Sequence, residues 1–266
     1  MFIFRYPLRL FVCSMALLCV ARIVAAQDTP FVFSVTTNPD ASKPQAIVLV
    51  DVGAGEQTFH AITDAGPEQR FGIQASAGRW TLIGHIGIAT AGGEYQTSQQ
   101  GEALYSLVSQ RSAGVTIAVG GGVLHEADGV DVILSRVVAG RGFGSSRLQG
   151  NVLFEKPLAS NRDAVDLITT VGWARRITRT VSLGVEGVGE DLEGFWDPAE
   201  AEGGARVLIG PAIHVAPAHH RWQLSVAGGP TFHPSDNGRS NDAVRDLPPT
   251  TRQSGYAVRT SFGVIF

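Results

Sequence analysis

Residues 204–232 read GARVLIGPAIHVAPAHHRWQLSVAGGPTF, and two stretches of strict alternation lie within them. In 204–215, Val207, Ile209, Ile213 and Val215 fall on one side, and Arg206, Gly210, Ala212 and His214 on the other. In 220–232, Trp222, Leu224 and Val226 oppose Arg221, Gln223, Ser225 and Ala227. A period of two is that of a β-strand with one apolar face. Pro217 to His219 forms a short turn between them. Strand 179–188 repeats the pattern, with Val181, Leu183 and Val185 against Thr180, Ser182, Gly184 and Glu186. So does 145–155, with Leu148, Val152 and Phe154 against Gln149, Asn151 and Glu155. Strand 130–139 is ambiguous, and either of its faces can be the outer one.

Working outward, the same reading gives strands at 46–54, 69–77, 79–90, 102–110, 114–124, 130–139, 145–155, 163–174, 179–188, 204–215, 220–232 and 255–266. That makes twelve; ten is the alternative if 46–54 and 69–77 do not both span. After residue 30 no window of about 11 residues keeps helical spacing of apolar side chains. The odd-numbered connections are mostly long, at 55–68, 91–101, 125–129, 156–162, 189–203 and 233–254. The even-numbered ones are mostly short: Gly78, Arg111 to Ala113, Gly140 to Gly144, Arg175 to Thr178 and Pro217 to His219. Short turns alternating with long loops predict a transmembrane antiparallel up-and-down β-barrel. The apolar face then meets lipid, where an unsatisfied polar group costs several kcal/mol, and the polar face lines the lumen. An even strand count puts both termini on the short-turn, periplasmic side. Trp80, Trp173 and Trp222 fall at that rim as a membrane girdle, with Phe154, Phe232 and Tyr256 near the other.

The start of the chain fits export. Arg5 and Arg9 precede an apolar run from Leu10 to Ala21, and Val24-Ala25-Ala26 offers small residues for cleavage. Cleavage after Ala26 would remove Arg5, Arg9 and Arg22 and no acid, so a formal charge of −3 becomes −6. It would also remove Cys13 and Cys19, the two cysteines of the sequence, which excludes a disulfide scaffold and a thiolate site. An acidic balance argues against a nucleic-acid partner. The expected organisation is a signal peptide over 1–26, an extended periplasmic lead-in over 27–45, and the barrel over 46–266.

The last strand, Tyr256 to Phe266, places Tyr256, Val258, Phe262, Val264 and Phe266 on one face and ends on phenylalanine. It resembles the C-terminal recognition strand of Gram-negative outer-membrane proteins. That resemblance implies an outer-membrane location, the barrel assembly machinery as a partner that reads Tyr256, Phe262, Val264 and Phe266, and surrounding lipid and lipopolysaccharide. The stretches Ser182 to Glu186, Leu208 to His214 and Trp222 to Val226 are weakly similar to outer-membrane transporter barrels associated with phenol-degradation pathways.

Candidate chemistry lies mostly inside. Glu186, Arg206, Arg221, Gln223, Arg259, Asn151 and Gln149 are expected to form a lumen polar network, either a selectivity element or a packed closure, and either needs salt bridges. His233 and Ser235 share the spacing of a motif in outer-membrane acyl hydrolases, but Asp236 intrudes before Asn237 and Pro234 breaks strand bonding. A polar loop is the better reading there, and no enzyme is expected. The loop 189–203 carries Glu190, Asp191, Glu193, Asp197, Glu200 and Glu202 without the fixed spacing of a calcium loop. The seven histidines make no metal set, since adjacent His219 and His220 point apart in a strand. Gly120 to Gly122 serves close approach within a strand. The expected function is passive or facilitated passage of a small solute, without a cofactor. The alternative is a closed structural or surface-interaction barrel.

Overall fold

The alternating strands close on themselves. The computed structural model describes residues 30–38, 44–55, 67–91, 94–126, 129–159, 165–190, 192, 205–217, 220–232 and 255–266. The signal segment lies outside the described residues. Twelve strands follow in order: β1 (Gln45–Gly55), β2 (Glu68–Ala77), β3 (Trp80–Ala91), β4 (Glu94–Val108), β5 (Thr116–His125), β6 (Asp131–Phe143), β7 (Ser146–Pro157), β8 (Asp166–Arg176), β9 (Val181–Glu190), β10 (Arg206–Val215), β11 (Trp222–Phe232) and β12 (Gly255–Ile265). Each pairs antiparallel with its sequence neighbours, and β12 closes the barrel on β1 from Ile47↔Ile265 to Gly55↔Ala257. Closure leaves no strand edge unpaired, the condition for a sheet in lipid.

One connection departs from the expected alternation. Residues 94–101, read as loop, belong to β4, which pairs with β3 from Trp80↔Tyr105 to Ala91↔Glu94. The stretch Glu94 to Gln100 is polar on both faces, so no apolar face marks it as strand; its pairing with β3 does. On the short-turn side, a one-turn helix α1 (Gln110–Ala113) joins β4 to β5 and ends at Gly114, whose φ of 74° suits glycine.

The faces follow the alternation. Ile209, Leu183 and Phe154 are exposed on the outside, while His214, Gln223 and Glu186 are buried within. Trp80 and Trp173 are exposed near the short-turn end, where Trp80 meets Tyr105 edge-on at 5.0 Å and Trp222 stacks on Phe262 at 6.3 Å. For β6, Ile133 and Val137 face out, and Val132, Leu134, Arg136 and Val138 face in.

The interior is not uniformly polar, contrary to expectation. Leu124, Val132, Leu134, Leu153, Ile168, Val188, Leu208 and Ala257 form one buried apolar cluster inside the barrel, with Phe33 packed against it. Ile83, Leu104, Ala118 and Val138 form a second, with Val35. Such clusters need an apolar partner inside the lumen, and the lead-in supplies it. Residues 31–36 of this lead-in lie within the barrel, a placement the sequence leaves open. Their backbone is irregular and bends at Val32 to Ser34, and they bond to interior side chains of β2, β7, β8 and β9.

Candidate functional site: the lumen and its internal segment

Glu186 is the most telling interior group. It projects from the middle of β9 and is 1% exposed. Its carboxylate accepts the Val32 amide at 2.9 and 3.1 Å and the Phe33 amide at 2.9 Å. The expected guanidinium partner is thus replaced by main-chain donors, which stabilise a buried carboxylate in the same way. Gly172 on β8 makes this docking fit. It sits opposite Glu186, and a Cβ there would come within 2.4 Å of the Phe31 ring.

The remaining contacts to the segment come from neighbouring strands. Asn151 on β7 accepts the Val35 amide at 2.7 Å and donates to the Val35 carbonyl at 3.1 Å. Gln149 donates to that carbonyl at 3.1 Å. The Ser34 and Thr170 hydroxyls lie 2.9 Å apart, and Gln74 on β2 donates to the Thr36 carbonyl at 2.8 Å. The Arg259 guanidinium stands over the Phe33 ring at 5.7 Å.

Of the predicted network, Glu186, Asn151, Gln149 and Arg259 therefore converge on the internal segment. Gln223 is buried on the wall beside it. Arg206 is set apart, paired with Glu190 at 2.8 Å where β9 and β10 reach the long-loop end. Arg221 is exposed, just before β11, and is not part of the buried set. Position in the strand explains this: inward residues at a strand end meet water at the rim. His233 and Ser235 lie outside the described residues, as do most of the acidic loop and His219.

The opposite wall holds charge that the sequence reading missed. Arg136 on β6 makes a two-point contact with Glu102 on β4, at 2.7 and 2.8 Å. It reaches across β5, whose inward positions there are Gly120 and Gly122; a Cβ at Gly122 would lie 2.8 Å from Glu102 Cγ. Glu68 bonds to Arg70 and to Arg259, the latter at 3.3 Å. The signal for the first pair was present in the glycine run, which clears a path for a long side chain. Between this wall and the segment lies a cavity of about 120 Å³ lined by Asp51, Arg70, His85, Arg136, Gln223 and Arg259 among others. That is room for a few water molecules at about 30 Å³ each.

Solved structures similar to this one in fold include outer-membrane porins. The NanC porin superposes with a TM-score of 0.55 at 8% identity, covering 82% of this chain and 98% of its own. The fold is that of an outer-membrane porin barrel. The KdgM porin gives 0.52 at 9% identity over 81% of this chain and 97% of its own. KdgM in complex with disordered oligogalacturonate gives 0.50 at 10% identity, with the same coverage. At such identities the likeness is one of fold. No family model and no curated protein matches the chain.

Proposed function

We propose that this protein is an outer-membrane channel for small polar solutes, narrowed by its own residues 31–36. The observation that carries the reading is the cavity beside the segment, with room for a few water molecules and with Asp51, Arg70, Arg136 and Arg259 in its lining. Packed apolar side chains would have filled that space in a purely structural barrel. Arg70, Arg136, Arg259 and Asp51 there give an entering solute hydrogen-bonding partners in place of its hydration. The outward apolar face and the aromatic rings at both rims suit insertion in the membrane, with the start of β1 and the end of β12 both on the short-turn side, which this reading makes periplasmic. Lipids, lipopolysaccharide and the barrel assembly machinery are the partners this location implies.

A closed structural barrel is the second reading, favoured by the apolar clusters that grip Phe33 and Val35. Planar-bilayer conductance of the refolded protein separates the two, with folding verified by heat-dependent gel mobility. Small discrete steps, raised when the segment is loosened, are expected of the channel. Silence from the folded barrel in both forms would overturn it in favour of the closed one.

A further inference from the structure

The wall holds the internal segment chiefly by its main chain. Asn151 both accepts from and donates to Val35, the two-point pairing that a neighbouring strand would make. Glu186 takes two successive amides, and Gln149 and Gln74 take the carbonyls of Val35 and Thr36. The Ser34 hydroxyl is the one segment side chain in these hydrogen bonds. Recognition through backbone groups gives affinity that tolerates sequence, with side-chain pockets adding preference. The pocket here is the apolar cluster around Phe33.

We infer that Gln149, Asn151 and Glu186 form an internal binding track for a peptide main chain, which residues 32–36 occupy as a tethered plug that bends at Val32 to Ser34. A peptide with an aromatic residue at the Phe33 position takes the same track once the tethered copy is out. The effect on conduction rests on the channel reading above; the binding does not. A short tether holds its ligand at an effective concentration in the millimolar range. A free peptide therefore competes only after the tethered segment is weakened within the full chain.

Val32→Pro with Val35→Pro does this, because proline removes the Val32 amide, one of the two that Glu186 accepts, and the Val35 amide that Asn151 accepts, and leaves the wall unchanged. The probe is a fluorescent peptide of residues 30–38, PFVFSVTTN, followed by anisotropy in detergent micelles. Saturable binding to the proline variant is expected, weakened about tenfold or more by adding Asn151→Leu. Binding to the unmodified chain should be far weaker. Absence of saturable binding to the folded proline variant, or binding indifferent to Asn151→Leu, would overturn the track. Should the proline variant fail to fold, Ser34→Cys with Thr170→Cys provides the second test. Hydroxyls 2.9 Å apart are replaced by sulfurs that bond at about 2.05 Å. Ready oxidation of this pair, with conductance lower than after reduction, supports the plug. Failure to cross-link refutes it, as does equal, non-zero conductance in both states. A barrel that binds the peptide yet stays silent in every form would remove the channel reading and leave the track standing.

Discussion

Gly172 and Glu186 face each other across β8 and β9, and together they decide whether the lumen can be filled. The glycine provides space and the carboxylate provides acceptors. Gly172→Ala is expected to displace Phe31, since the added carbon would fall 2.4 Å from its ring. Gly150→Ala is the control, with nothing nearer than a carbonyl oxygen at 3.6 Å. Conductance should rise for the first and stay at the unmodified level for the second; no change for Gly172→Ala would count against the segment as the constriction. Phe33→Ala empties part of the apolar cluster and should cost about 2 kcal/mol, less than a fully buried phenylalanine because Phe33 is half-buried. Urea unfolding in micelles measures it.

At the scale of elements, inward and outward neighbours on one strand carry opposite demands. Val171 in the middle of β8 is exposed on the lipid side, and Thr170 beside it is buried within. Val171→Arg is expected to cost about 2–4 kcal/mol, the usual cost of arginine at the bilayer midplane. Refolding into bilayers, followed by denaturant titration, checks it; a cost near zero would place β8 outside the membrane. The Glu102 and Arg136 pair ties β4 to β6 over the glycines of β5. Glu102→Gln leaves a guanidinium buried without its charge partner and should cost about 3–5 kcal/mol. Converting both to methionine should recover most of that loss in the same titration. Equal damage from the single and the double change would mean the pair acts by shape and not by charge.

For the molecule as a whole, the sequence was legible wherever one face of a strand met lipid. Alternation in Val181 to Glu186 and Arg206 to Val215 marked strand, direction and inner face together, because a slip of one residue would send Glu186 or His214 into hydrocarbon. It failed where that contrast was missing. Glu94 to Gln100 is polar on both faces and was read as loop; Val132 to Val138 carries apolar residues on both faces and had no readable inside. Glu186, Asn151, Gln149 and Arg259 were recognised as interior groups, but their partners were not. Most of those partners are main-chain amides and carbonyls, which leave no residue-type signature; Arg259 has the Phe33 ring and Glu68.

The sequence by itself determined a barrel of alternating strands, its closing strand Gly255 to Phe266 and the direction of most side chains. The reason is local: each strand must separate lipid from interior within two residues. Only the tertiary structure decided what fills the lumen. Whether residues 31–36 lie inside or outside depends on groups more than a hundred positions away in sequence, as with Val35 and Asn151. Hydrogen bonds between side chains and a distant backbone, and apolar packing across the barrel axis, have no period to read. They exist once the wall has closed and set Gln74, Asn151, Thr170 and Glu186 around one enclosed space.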